Sequence, residues 1–140
     1  MAATTLLELE VATPERLILK AMVSEVDVPG AEGMLGILPG HAALLSELGS
    51  GPLSYIMASG GAHVLCINGG WLEVRDDKVR VLANTAELAN EIDTARAQEA
   101  LRRANERLMN PLGTVDVARA LNAMKRAQAR IAAARLAAGK

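Results

Sequence analysis

The chain has 140 residues, 51% of them hydrophobic, and a net charge of −1, which suits one ordinary domain or a small domain with an appendage. Trp71 and Tyr55 are its only aromatic residues, so the core must be aliphatic, and the rings that a nucleic-acid module uses to stack bases are missing. Cys66 is the single cysteine, which excludes an internal disulfide, and no window approaches the roughly 20 apolar residues that span a bilayer.

Residues 1–86 read as β. Leu7, Leu9 and Val11 alternate with Glu8 and Glu10, Val26 and Val28 with Glu25 and Asp27, Leu72 and Val74 with Glu73 and Arg75, and Val79 and Val81 with Lys78 and Arg80. Period-two alternation marks strands with one face buried. Turn signals recur between them at Pro29-Gly30, Pro39-Gly40, Gly51-Pro52, Gly60-Gly61, Gly69-Gly70 and Asp76-Asp77. Short strands at this spacing predict an antiparallel β-sandwich or flattened barrel.

Composition changes after Asn84, where Ala, Arg, Glu, Leu and Gln take over, all good helix formers. Residues 87–140 are predicted to form an antiparallel two-helix hairpin. Asp93 is placed to cap the first helix, which runs to about Met109, and Thr114 or Asp116 the second. Asn110-Pro111-Leu112-Gly113 breaks the two apart. Ala97, Leu101, Ala104 and Leu108 follow a 4-3-4 spacing, and Ala120, Met124, Ala127, Ile131, Ala134 and Ala138 extend the same rhythm. These are seams for mutual packing. They are mostly alanine and bury little area each, so a weakly held hairpin is expected.

Charge is unevenly divided. Residues 1–86 carry ten acids and five bases, whereas residues 87–140 carry six acids and ten bases. A basic tail on an acidic body implies either an anionic partner or a solvated helix face. Arg96 and Arg103 are seven apart, and Arg126 and Arg130 four apart, so each pair shares a helix face. Antiparallel packing brings the pairs together, a pattern suited to phosphate; exposed pairing with Glu99 and Glu106 is the competing reading. His41 and His63 have no metal-ligand spacing, and His63 and Cys66 fall on opposite faces of a strand, against a nucleophile pair. The start of the chain lacks the pattern of a secretory signal, and the lone cysteine favours a reducing compartment.

The run Gly33-Met34-Leu35-Gly36-Ile37-Leu38-Pro39-Gly40-His41, with its lead-in Val28-Pro29-Gly30-Ala31-Glu32, resembles the most recognisable stretch of the epsilon subunits of F-type ATP synthases. Asn68-Gly69-Gly70-Trp71-Leu72-Glu73-Val74 and the segment from Val79 to Ala86 resemble two further stretches of that family. The resemblance implies a non-catalytic rotor subunit at the foot of the central stalk. Its partners would be the gamma subunit, the ring of c subunits and, with the hairpin extended, the catalytic alpha/beta head. Such a subunit couples proton flow to ATP synthesis, restrains ATP hydrolysis through its hairpin, and lies peripherally on the cytoplasmic face of a bacterial membrane without inserting. Glu32, Met34 and His41 fall at the implied rotor interface. Met34 stands where relatives often carry an acid, which would make that contact apolar.

Some members bind ATP in the folded hairpin through an Ile/Leu-Asp-x-x-Arg-Ala motif, complete here from Ile92 to Ala97. By resemblance the nucleotide-binding residues would be Glu87, Ile92, Asp93, Arg96, Ala97, Arg103, Arg126 and Arg130, with ATP as a regulatory ligand and no required cofactor. Two alternatives compete: a stand-alone nucleotide-sensing module, and a small β-barrel enzyme using His41 and His63.

Overall fold

In a computed structural model, residues 6–109 and 116–139 are described. Six strands come first: β1 (Leu7–Ala12), β2 (Leu17–Gly30), β3 (Gly33–Ile37), β4 (Leu44–Met57), β5 (Ala62–Arg75) and β6 (Lys78–Leu88). A 3-10 turn (Ala89–Glu91) leads into α1 (Thr94–Met109) and α2 (Val117–Ala138). The sheet order is β1-β6-β5-β4-β2-β3, and β1 also pairs with β2, so five strands close on themselves while β3 extends β2. The ladders are antiparallel except the closing one, where β1 runs parallel to β6. Closure leaves no free edge along those five strands for another chain to pair with.

The alternation read from the sequence becomes the core. Leu7, Leu9, Val11, Val26, Val28, Leu72, Val74, Val79 and Val81 are all buried, each at most 1% exposed. Leu53, Leu65 and Ile67 join them. Each such side chain removed from water contributes about 1.5–3 kcal/mol.

The long strands do not keep one alternation throughout. In β5, Leu65 and Ile67 point into the barrel, yet so do Leu72 and Val74, an odd-to-even slip across Gly69-Gly70. Gly70 has φ +125°, and a Cβ there would stand 2.0 Å from the Leu82 carbonyl oxygen. Only glycine permits the slip. Its consequence is two-sided. Before the glycines the outward residues Val64 and Cys66 lie under the hairpin; beyond them Trp71 faces outward at 53% exposure.

Asp93 and Asp116 start the helices. Asp93 Oδ1 accepts from Arg96 N and Asp116 Oδ1 from Arg119 N, each at 3.0 Å. The break at Asn110–Gly113 and the alternative cap Thr114 lie outside the described residues. Ala97, Ala104, Ala120, Ala127 and Ile131 bury the predicted seam, while its last member, Ala138, is exposed. Helix α2 has a second buried stripe, Ala129 and Ala133. It packs with Ala89 on Val64 and Cys66, so α2 lies between α1 and the barrel.

Candidate functional site

The candidate site forms where barrel, linker and both helices meet. Strand β6 continues through Leu88, so Glu87 is a strand residue, opposite Cys66 on β5. The Asp93 cap fixes the first turn of α1 and with it Arg96. Arg130 reaches from α2, and its Nε donates to Glu87 Oε1 at 2.5 Å. Both side chains keep water contact, at 42% and 28% exposure, so this ion pair contributes under about 1 kcal/mol to docking. Glu87, Glu91, Asp93, Arg96, Ala97 and Arg130 line a cleft of about 190 Å³.

Five of the eight residues proposed from the sequence therefore meet there. Ile92 does not line the cleft; its side chain packs with Ala137 against the cluster beneath α2. Arg103 and Arg126 are exposed and also outside the cleft. Helical rise explains this: Arg103 stands about 10 Å beyond Arg96 and Arg126 about 6 Å beyond Arg130, both toward the tip of the hairpin. Glu91 was not anticipated; its only signal was an acid in the strand-to-helix linker. The partner of Glu99 and Glu106 is Arg102, not Arg96 or Arg103. Its hydrogen bond holds the Glu99 carboxyl below its ordinary range.

Cys66 is fully buried beneath α2. Burial, and secondarily the Glu87 carboxylate, push its thiol up to about 12 against the opposing effect of Arg130. A thiol held protonated is no nucleophile at neutral pH. His63 stacks on Tyr55 with ring centroids 5.4 Å apart, and burial raises the Tyr55 hydroxyl. The histidine-based enzyme fails on geometry. His41 precedes Leu44 at one end of β4, whereas His63 pairs with Tyr55 near the other, about 35 Å away along the strand. Among the described residues no group of His, Cys, Asp and Glu is placed to hold a metal ion.

A second surface lies on the barrel. Ala12 is paired with Leu17 on one side and Leu82 on the other, and Leu82 with Trp71. Leu17, Leu82 and Trp71 are each more than half exposed, so an apolar stripe crosses β2, β1, β6 and β5. The turn joining β2 to β3 carries exposed Glu32, β3 carries exposed Met34 opposite Pro29, and the loop joining β3 to β4 carries half-buried His41. His41 Nδ1 lies 2.7 Å from the Ala42 carbonyl.

Residues 6–89 match the family model of the ATP synthase delta/epsilon chain β-sandwich domain, and residues 90–135 that of its long α-helix domain. The chain belongs to the ATP synthase delta/epsilon family. Its relatives within that family include the ATP synthase epsilon chain of Solibacter usitatus, 53% identical over 128 residues, spanning 91% of this chain and 95% of the relative. The epsilon chain of Koribacter versatilis is 48% identical over 101 residues, 72% and 70% of the two chains. The fold is shared with a chain in the Euglena gracilis mitochondrial ATP synthase OSCP/F1/c-ring structure, with TM-score 0.83, 22% identity and coverage of 100% of this chain and 85% of that one. Delta/epsilon membership accounts for both parts of the molecule in one order, barrel then hairpin. No described helix is long and apolar enough to cross a membrane.

Proposed function

We propose that the chain is a non-catalytic rotor subunit of an F-type ATP synthase. The barrel docks on the gamma subunit and the c ring, peripheral to the membrane, and helps to couple proton flow to ATP synthesis in the catalytic head. The observation that carries this is the apolar stripe of Leu17, Ala12, Leu82 and Trp71, which a free-standing barrel would leave in water. Trp71 is the only tryptophan, so its fluorescence reports docking directly. Titration with gamma subunit should give a saturable blue shift, and Leu82→Glu should weaken binding at least tenfold. No shift and no complex with gamma would overturn the rotor reading and leave a stand-alone module.

The hairpin is the regulatory part, with ATP as its ligand. Arg96 and Arg130 in one cleft support this reading. A volume of about 190 Å³ is below the roughly 300 Å³ at which ligand pockets begin, so the cleft takes one portion of the nucleotide. The phosphates then extend along the hairpin toward Arg103 and Arg126. Millimolar ATP should move amide signals of α1 and α2, and Arg130→Ala should abolish the shifts. Absence of shifts in the unaltered chain would return these arginines to the surface. Deleting residues 90–140, which leaves β6 whole, should raise ATP hydrolysis by the parent complex; unchanged hydrolysis would remove the inhibitory role.

A further inference from the structure

The turn between β5 and β6 consists of Asp76 and Asp77, both in the left-handed region with φ +51° and +59°. A two-residue hairpin turn of this kind favours asparagine or glycine, and glycine would serve it with least strain. The Asp77 side chain has a partner that glycine would lack. Its Oδ1 accepts from Gly40 N at 2.7 Å, across 37 residues of sequence. Gly40, at φ +84°, lies in the loop between β3 and β4, immediately before His41. Among the described residues the same loop otherwise holds only contacts within itself: His41 N donates to the Leu38 carbonyl at 3.1 Å, and His41 Nδ1 lies 2.7 Å from the Ala42 carbonyl. The Asp77 carbonyl meanwhile accepts from Glu8 N at 2.9 Å, which ties the turn to β1.

Asp77 thus joins three separate pieces of the barrel: the β5–β6 turn, the first strand, and the loop that carries His41. The charge-assisted bond is short and directional, and the loop has few other constraints. We propose that Asp77 is a positioning residue that fixes the Pro39-Gly40-His41 loop in the shape in which it meets the rotor. This rests on the rotor reading given above. It adds a residue from a different hairpin, one that need not touch the partner itself.

Two variants preserve the turn, because asparagine and glycine both tolerate positive φ. Asp77→Gly removes the acceptor, whereas Asp77→Asn keeps an oxygen at that position. Hydrogen exchange at the Gly40 amide, followed by NMR on the whole chain, should be about three- to tenfold faster in Asp77→Gly and near the unaltered rate in Asp77→Asn. Affinity for a complex of the cognate gamma subunit and c ring should fall by a similar factor in Asp77→Gly alone. Equal Gly40 exchange in all three proteins would overturn the bond as an anchor. Faster exchange with unchanged affinity would overturn the positioning role. If the unaltered chain does not bind the complex, the rotor reading fails, while the exchange rates still decide whether Asp77 holds the loop.

Discussion

Replacing Ala133 with leucine measures how firmly the hairpin is held to the barrel. Ala133 is fully buried, in a cluster of Val64, Cys66, Ala89 and Ala129, where small side chains let α2 approach β5 closely. Leucine adds three carbons to a site that has no room for them, at a cost of about 1–3 kcal/mol. The Glu87–Arg130 pair is too exposed to compensate. The population with α2 lifted should therefore rise between about fivefold and a hundredfold, since every 1.4 kcal/mol is a factor of ten. Cys66 is the only thiol in the chain and lies beneath this helix, so its rate of alkylation by iodoacetamide at pH 8 tracks that population. Ala138→Leu, at an exposed position of the same helix, should leave the rate unchanged. A barrel that still melts cooperatively excludes global unfolding. If the Ala133→Leu chain keeps its helices and alkylates no faster than the unaltered one, α2 is not what shields the thiol.

The raised proton affinity of Cys66 gives docking a pH dependence. A thiol whose folded value lies above its ordinary 9.0, at about 12, contributes fully below pH 9. Its contribution is lost as pH rises toward 12, by about 1.4 kcal/mol per unit. Alkylation should therefore accelerate more steeply with pH between 9 and 11 than that of a small thiol, and Cys66→Ala should flatten the pH dependence of hairpin docking seen by hydrogen exchange; a parallel profile would place the thiol in water. At the head of α1, Asp93→Ala should cost about 1 kcal/mol of helix stability and Asp93→Ser should recover most of it. Equal thermal melting of the two variants would mean that the carboxylate does not act as a cap.

The barrel was legible because period-two alternation records one buried face directly. Leu7, Leu9 and Val11 could be placed in the core with no knowledge of their neighbours. The run Val64-Leu65-Cys66-Ile67 carries no such alternation, since both its faces are covered. The two covers, barrel interior and α2, come from residues far apart in sequence. The caps Asp93 and Asp116 and the seam from Ala97 to Ile131 were likewise local properties of the chain. The second alanine stripe was invisible: in an alanine-rich helix, Ala129 and Ala133 differ from exposed alanines only in what lies beneath them.

The candidate site divides along the same line. Sequence by itself determined the alternating segments of β1, β2, β5 and β6, the two helices and the Asp93 cap, because these depend on neighbours within a few positions; it marked Gly51-Pro52 as a turn, whereas β4 runs straight through it from Leu44 to Met57. Tertiary structure alone decided that β1 closes the barrel in parallel on β6, that Glu87 holds Arg130, that Glu91 enters the cleft while Arg103 and Arg126 stand beyond it, and that Asp77 reaches Gly40. Each of these joins residues dozens of positions apart, and such pairings follow from how closed ladders and docked helices exclude water, which no local pattern encodes.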